Sequence, residues 1–146
     1  MDMSTQDVFR HSMRRLAATV SVVTCASDGI RHGMTATAVT ALCMEPASLL
    51  VCVNAKSTFL APLLHERRFC INLLQSSQSG ISRLFGGEAK GEARFAKGFW
   101  LEDAVGTPYL ADAQASIFCK SSSTGCVLSS PFRETGVFNS RFNACK

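Results

Sequence analysis

Between residues 4 and 20 the apolar side chains Val8, Phe9, Met13, Leu16, Ala17 and Val20 recur at steps of three and four, with Arg10, Arg14 and Arg15 off the stripe. That period predicts an amphipathic helix. Ser4 and Asp7 stand three apart, an approximate capping box whose carboxylate sits near the positive helix start. The period then changes. Val20-Ser21-Val22-Val23-Thr24-Cys25 is β-branched and runs into the turn signal Ser27-Asp28-Gly29, after which residues 30–40 alternate small, apolar and hydroxyl side chains. A β-hairpin is expected. Ser48-Leu49-Leu50-Val51-Cys52-Val53-Asn54 is apolar enough for a strand buried on both faces. Thr58 opens a short helical segment with Phe59, Leu60, Leu63 and Leu64, and Pro62 must lie in its first turn. Phe69-Cys70-Ile71-Asn72-Leu73-Leu74 predicts another strand, followed by a helical pattern through Ile81, Leu84 and Phe85 that Gly86-Gly87 stops. Residues 88–98 predict a surface loop or frayed helix. Phe99-Trp100-Leu101, a turn at Gly106-Thr107-Pro108 and a strand over 115–120 complete the pattern. Many β runs separated by short helices, without an internal repeat, predict a mainly β fold, a small barrel with peripheral helices.

Composition narrows the class. A chain of 146 residues fits one domain, expected to span 1–146, and 47% hydrophobic with 18% charged residues excludes a disordered tail. No apolar run approaches the roughly 18 positions of a membrane helix. The start, Met1-Asp2-Met3-Ser4-Thr5-Gln6-Asp7, lacks the basic and apolar regions of a secretory leader, so a cytoplasmic protein without membrane association is expected. The net charge of +4 comes from scattered residues, adjacent only at Arg14-Arg15 and Arg67-Arg68, which argues against nucleic acid as a partner. Seven cysteines without a Cys-x-x-Cys or a close His argue against a metal site, and Cys25, Cys52 and Cys70 read as reduced, structural thiols. His11, His32 and His65 lie far apart and are expected at the surface or at helix ends. The common phosphate-loop, dinucleotide, zinc-protease and esterase signatures are absent, and no catalytic side chain is assigned.

What remains is a set of hydroxyls and amides at strand ends. In Thr35-Ala36-Thr37-Ala38-Val39-Thr40, small side chains at Ala36 and Ala38 let a planar ring approach the backbone, while Thr35 and Thr37 offer bonds to a heterocycle edge. In Asn54-Ala55-Lys56-Ser57-Thr58, a strand gives way to a helix start, where unpaired N–H groups, Ser57, Thr58 and the charge of Lys56 suit a phosphate. Taken one at a time, the same residues are better explained by ordinary strand alternation and a plain helix cap.

In order along the chain, His11-Ser12-Met13-Arg14-Arg15, Val22-Val23-Thr24, Gly33-Met34-Thr35-Ala36-Thr37-Ala38, Val51-Cys52-Val53-Asn54, Ser57-Thr58, Phe69-Cys70-Ile71-Asn72-Leu73-Leu74 and Arg94-Phe95 resemble the flavin reductase family over about residues 7–120. The resemblance implies a split β-barrel of the FMN-binding type, usually homodimeric, which reduces FMN or FAD with NAD(P)H. Its nearest members look like the small reductase components of two-component aromatic hydroxylases, which pass reduced flavin to an oxygenase. It implies that residues 35–38 line the isoalloxazine, that Asn54, Ser57 and Thr58 hold the ribityl and phosphate portion, with Lys56 beside them, and that Asn72, Arg94 and Phe95 approach the flavin or its adenylate. After Lys120 the family's Gly-Asp-His or Gly-Thr-His turn is missing, and no His follows His65. Residues 121–136, rich in Ser, Gly and Pro, are expected to form a loop within a divergent tail, 121–146, leaving the barrel short of edges. A flavin-binding module without reductase activity, or a β-barrel interaction domain without a cofactor, stays open as an alternative.

Overall fold

A computed structural model of the chain describes residues 4–44, 47–121, 135–138 and 143–144, and the rest of the divergent tail, including residues 122–134, lies outside them. The architecture is mainly antiparallel β with short helices. Strands β1 (Ser21–Ser27), β2 (Ile30–Ala36), β3 (Val39–Met44), β4 (Ala47–Cys52), β5 (Arg68–Leu73), β6 (Trp100–Glu102), β7 (Pro108–Leu110), β8 (Ala115–Lys120), β9 (Thr135–Phe138) and β10 (Asn143–Ala144) form three sheets among the described residues. The large sheet has the order β10-β8-β5-β1-β2, the second β3-β4-β9, and the smallest β6-β7. The ladders among the described residues do not close into one barrel.

The hairpin expected around Asp28-Gly29 forms with the register Ser27↔Ile30 to Ser21↔Ala36. Both turn residues adopt positive φ, 52° and 74°, the backbone that matches a two-residue turn to strand twist. Residues 30–40 are not one strand, however. β2 ends at Ala36, the chain bends at Thr37 and Ala38, and β3 begins in the other sheet.

Helix α1 (Thr5–Met13) begins where Ser4 caps it, the Ser4 Oγ accepting from the Asp7 N–H at 3.2 Å. It stops seven residues before the predicted end, and its stripe is not buried among the described residues: Val8 and Met13 are close to half exposed and Leu16 is more so. Without burial, a stripe alone holds few turns in water. Helix α2 (Leu60–Glu66) carries Pro62 in its first turn as expected and buries Leu63. Helix α3 (Ser79–Arg83) continues into a wider turn over Leu84–Glu88, where Gly87 at φ 121° ends the run.

Alternation on β1 divides the core in two. Val23 and Cys25 face a first cluster with Ala36, Leu49, Val51, Phe59 and Phe69 between the two larger sheets, and Val22 faces a second with Ile81, Phe85, Phe95 and Leu110. The expected surface loop or frayed helix at 88–98 is a mostly exposed segment with one short helix, and it differs from the expectation in burying Phe95. A 3-10 segment, Gly91–Ala96, sends Phe95 into this second core, its ring 4.9 Å from Phe85 and 5.0 Å from Trp100. Cys25 and Cys70 are buried thiols outside any disulfide, in line with the structural reading, Cys119 is buried as well, and Cys52 is half-buried. No cluster among the described residues suits a metal ion, and no helix is long and apolar enough to cross a membrane.

Candidate functional site

Sheet register determines which hydroxyls meet. Val39 lies opposite Val51, and one step further the Cys52 N–H donates to the Ala38 carbonyl at 3.0 Å. The exposed bend of Thr37 and Ala38 therefore lies beside the end of β4, from which Val53 and Asn54 continue. Two segments about twenty residues apart in sequence are brought to one corner.

Asn54 turns the chain there. Its Oδ1 accepts from the Lys56 N–H at 2.9 Å and its carbonyl from the Ser57 N–H at 2.8 Å. Ser57 in turn accepts the Phe59 N–H on its Oγ and the Leu60 N–H on its carbonyl, both at 3.2 Å. The N–H groups of Lys56, Ser57, Phe59 and Leu60 are thus consumed within the corner, while that of Thr58 makes no hydrogen bond among the described residues. The donors turned outward are side chains: the exposed Lys56 and Thr58, and the half-buried Ser57, whose hydroxyl proton is not used by its bond to Phe59.

The other expected residues divide. Ala36 is buried on the first-core side of β2 and brings a small side chain under the bend. Thr35 is committed to a neighbour, its Oγ1 donating to the Ser82 carbonyl at 2.6 Å. Asn72 is wholly buried and internally satisfied: Nδ2 donates to the Val22 carbonyl at 2.9 Å and to Thr24 Oγ1 at 3.2 Å, and Oδ1 accepts from the Leu110 N–H at 2.8 Å. A buried amide left without partners costs about 1–3 kcal/mol, and these bonds meet that need inside the fold. Arg94 lies along β2, its Nη1 donating to the Gly33 carbonyl at 2.8 Å and its Nε to the Ala89 carbonyl at 3.1 Å. Phe95 is in the second core, with the Arg31 guanidinium 4.3 Å from its ring centre and Arg31 also paired to Glu92. Both therefore lie across the large sheet from Ala36.

Of the histidines, His11 and His65 occupy the last turns of α1 and α2 as expected. His32 is half-buried on β2, and burial followed by the nearby Arg94 charge holds its pKa below the usual imidazole value. Glu66, hydrogen-bonded to Ser27 and His65, has a lowered pKa.

Two features escaped the sequence reading. Ser21, opposite both Ala36 and Leu73, is fully buried with a hydroxyl that has no hydrogen-bond partner among the described residues. At the same end of the large sheet, a cleft of about 330 Å³ has Val20 and Leu74 in its lining and Ser76, Ser79, Ser82 and Gln114 around them. The signal for the cleft was present as Gln75-Ser76-Ser77-Gln78-Ser79, five neutral polar residues directly after a strand.

The flavin reductase like domain matches residues 13–137. The chain is 43% identical over 114 residues to the reductase component of FADH(2)-dependent resorcinol hydroxylase from Rhizobium sp., covering 77% of this chain and 64% of that protein. It is 37% identical over 116 residues to FMN reductase (NADH) RutF from Pseudomonas syringae, covering 80% of this chain and 65% of that protein. The chain thus spans just under two thirds of the length of these curated relatives. Among solved structures, nitrilotriacetate monooxygenase component B from Mycobacterium thermoresistibile superposes with a TM-score of 0.82 at 24% identity, over 95% of this chain and 74% of that one. NADH:FAD oxidoreductase SgcE6 from Streptomyces globisporus, in complex with NAD and FAD fragments, gives 0.81 at 20% identity, over 96% of this chain and 82% of that one. The last two share the fold, and the domain match runs from the end of α1 into β9 through the bend, the corner and both cores: the chain belongs to the flavin reductase like domain family.

Proposed function

We propose that this chain is an NAD(P)H-dependent flavin reductase that supplies reduced FMN or FAD to a partner oxygenase. The observation that carries the reading is the Cys52-to-Ala38 hydrogen bond, which places the small-residue bend against the hydroxyl-bearing corner at Asn54. The donor set suits a phosphorylated tricyclic ring. Ala36, Thr37 and Ala38 leave room for a flat ring beside the backbone, and Lys56, Ser57 and Thr58 offer one cation and two hydroxyls to a phosphate. The Ser21 hydroxyl, on the residue opposite Ala36 across the ladder and without a partner among the described residues, is a further polar atom consistent with a ligand at this end. When bound, flavin supplies the chemistry, acceptance at N5 of the hydride carried by C4 of the nicotinamide. The contribution of the chain is to bind and orient the two partners, a positioning role that calls for no catalytic dyad.

The same reading takes the protein as a single domain over 1–146, a split barrel of the FMN-binding type, homodimeric and cytoplasmic. Named relatives support the reductase activity alone: one is the reductase component of a hydroxylase, and another is an NADH-dependent FMN reductase. The missing His-containing turn after Lys120 favours a second reading, a flavin-binding module without reductase activity. Titration with FMN and FAD while NADH consumption is followed separates the two. The double variant Ser57→Ala, Thr58→Ala is expected to weaken flavin binding about tenfold, since each lost bond is worth about 0.5–1.5 kcal/mol, with turnover at saturating flavin little changed. Unchanged affinity would remove the phosphate from this corner.

A further inference from the structure

We propose that a second cleft, at the other end of β5 from Ala36, is a binding site for a small organic oxyanion, a carboxylate or phosphate ester carried on a flat apolar body. It has a volume of about 250 Å³ and lies between the start of β5, the end of β8 and the turn that joins β6 to β7. Register sets its distance from the flavin end. Leu73 pairs with Ser21 and is thereby level with Ala36, whereas Arg68 begins the same strand five residues away, about 17 Å at about 3.4 Å per residue. The ligand is therefore not the flavin, and the proposal does not depend on the reductase reading.

Two cations meet there. Arg68 and Lys120 are directly opposite in the β5–β8 ladder, both are exposed and in the lining, and neither side chain makes an ion pair or hydrogen bond among the described residues. Like charges on opposed residues of an antiparallel pair repel, so an anion between them relieves the rung. The carboxylate in the lining is committed elsewhere. Asp103 Oδ1 accepts the Val105 N–H at 3.0 Å and the Thr107 N–H at 2.8 Å, which holds the turn, and it pairs with neither cation. With that carboxylate counted, the described lining keeps one positive charge in excess. Thr107 is an independent sign of a ligand. Only 5% exposed, it lines the cleft, and its hydroxyl has no hydrogen-bond partner among the described residues, although a group so enclosed needs one. Val105 and Phe118 supply apolar walls, the Phe118 ring held edge-on to Tyr109 at 5.4 Å. An oxyanion accepts from guanidinium, ammonium and hydroxyl together while an apolar body covers the ring. The volume falls just under the range of about 300–1,000 Å³ for drug-sized ligands, which keeps that body small.

The test titrates the full chain with two probes, benzoate and phenyl phosphate, followed by calorimetry. Saturable binding of one or both is expected, weakening as salt rises, and the probe that binds tells carboxylate from phosphate ester. Arg68→Gln and Lys120→Gln are each expected to lower the affinity about ten- to a hundredfold, and Thr107→Val about three- to tenfold. Because the two cations are exposed and repel, neither Gln variant is expected to lower the thermal midpoint of the free chain, which separates loss of the site from loss of the fold. Thr107→Val keeps the outline of the side chain and decides the matter where a Gln variant does lose stability. Lys56→Gln, at the flavin corner, is expected to leave the affinity unchanged. Failure of both probes to bind overturns the proposal, as does affinity retained in Arg68→Gln and Lys120→Gln. Equal affinity for neutral benzamide removes the charge from the account, equal affinity for acetate removes the apolar walls, and loss of binding in Lys56→Gln moves the anion to the corner; each of these overturns it too.

Discussion

Cys25 shows how far one buried side chain departs from its solution behaviour. It is wholly enclosed among the first-core residues, and burial, followed by the Glu66 charge, pushes its thiol from 9.0 up to about 12. A thiolate is disfavoured where water cannot reach it. In the unfolded chain the thiol ionises near 9.0, so the folded state keeps a proton that the unfolded state has lost. Its contribution to stability is complete below pH 9 and is lost as pH rises toward 12, at up to about 1.4 kcal/mol per pH unit. Urea unfolding between pH 8 and 10.5 is expected to show a falling stability that flattens in Cys25→Val, and identical slopes would refute the assignment. Asn72, which only the family resemblance gave as a flavin contact, has side-chain partners on β1, β7 and β8, as far as fifty residues away in sequence, which no local pattern could show.

Among the elements, the strands were legible and the points where they change sheet were not. β5 and β8 follow their sequence patterns closely because both faces of β5 are buried and β8 pairs along its whole length. Nothing in Ala36-Thr37-Ala38-Val39 signals a break, since no Gly or Pro is present. The break arises because the two sheets need different partners, a tertiary cause with no local mark. Helix α1 failed in the opposite direction, its stripe predicting burial that the described residues do not provide. An element that buries nothing contributes little to global stability. Ser4→Ala, which removes a cap worth about 1 kcal/mol to the helix, is accordingly expected to lower helical circular dichroism and leave the thermal midpoint of the near-ultraviolet signal unchanged; a lowered midpoint would show that α1 is held by the fold.

At the scale of the molecule, apolar side chains on α1 remain uncovered, and among the described residues β2 and β3 each have one unpaired edge. Exposed patches and free edges are association surfaces, and a second copy is the economical way to cover both. Light scattering at micromolar concentration is expected to give about twice 15.7 kDa, and a single-chain mass across the range would count against the homodimer. The general course of the β framework was readable because each strand has its own period, while the corner at Asn54 became visible only once β3 and β4 fixed which residues share an end. The amide of Asn72 has one more effect. By joining the backbone of Val22 on β1 to that of Leu110 on β7, with Ser116 of β8 at 3.4 Å, it binds the fate of a two-stranded surface hairpin to that of the central sheet. The hairpin cannot melt as a separate unit without stranding that amide, so β6 and β7 open to solvent exchange on the slow clock of whole-chain unfolding and not on the fast one of a peripheral loop.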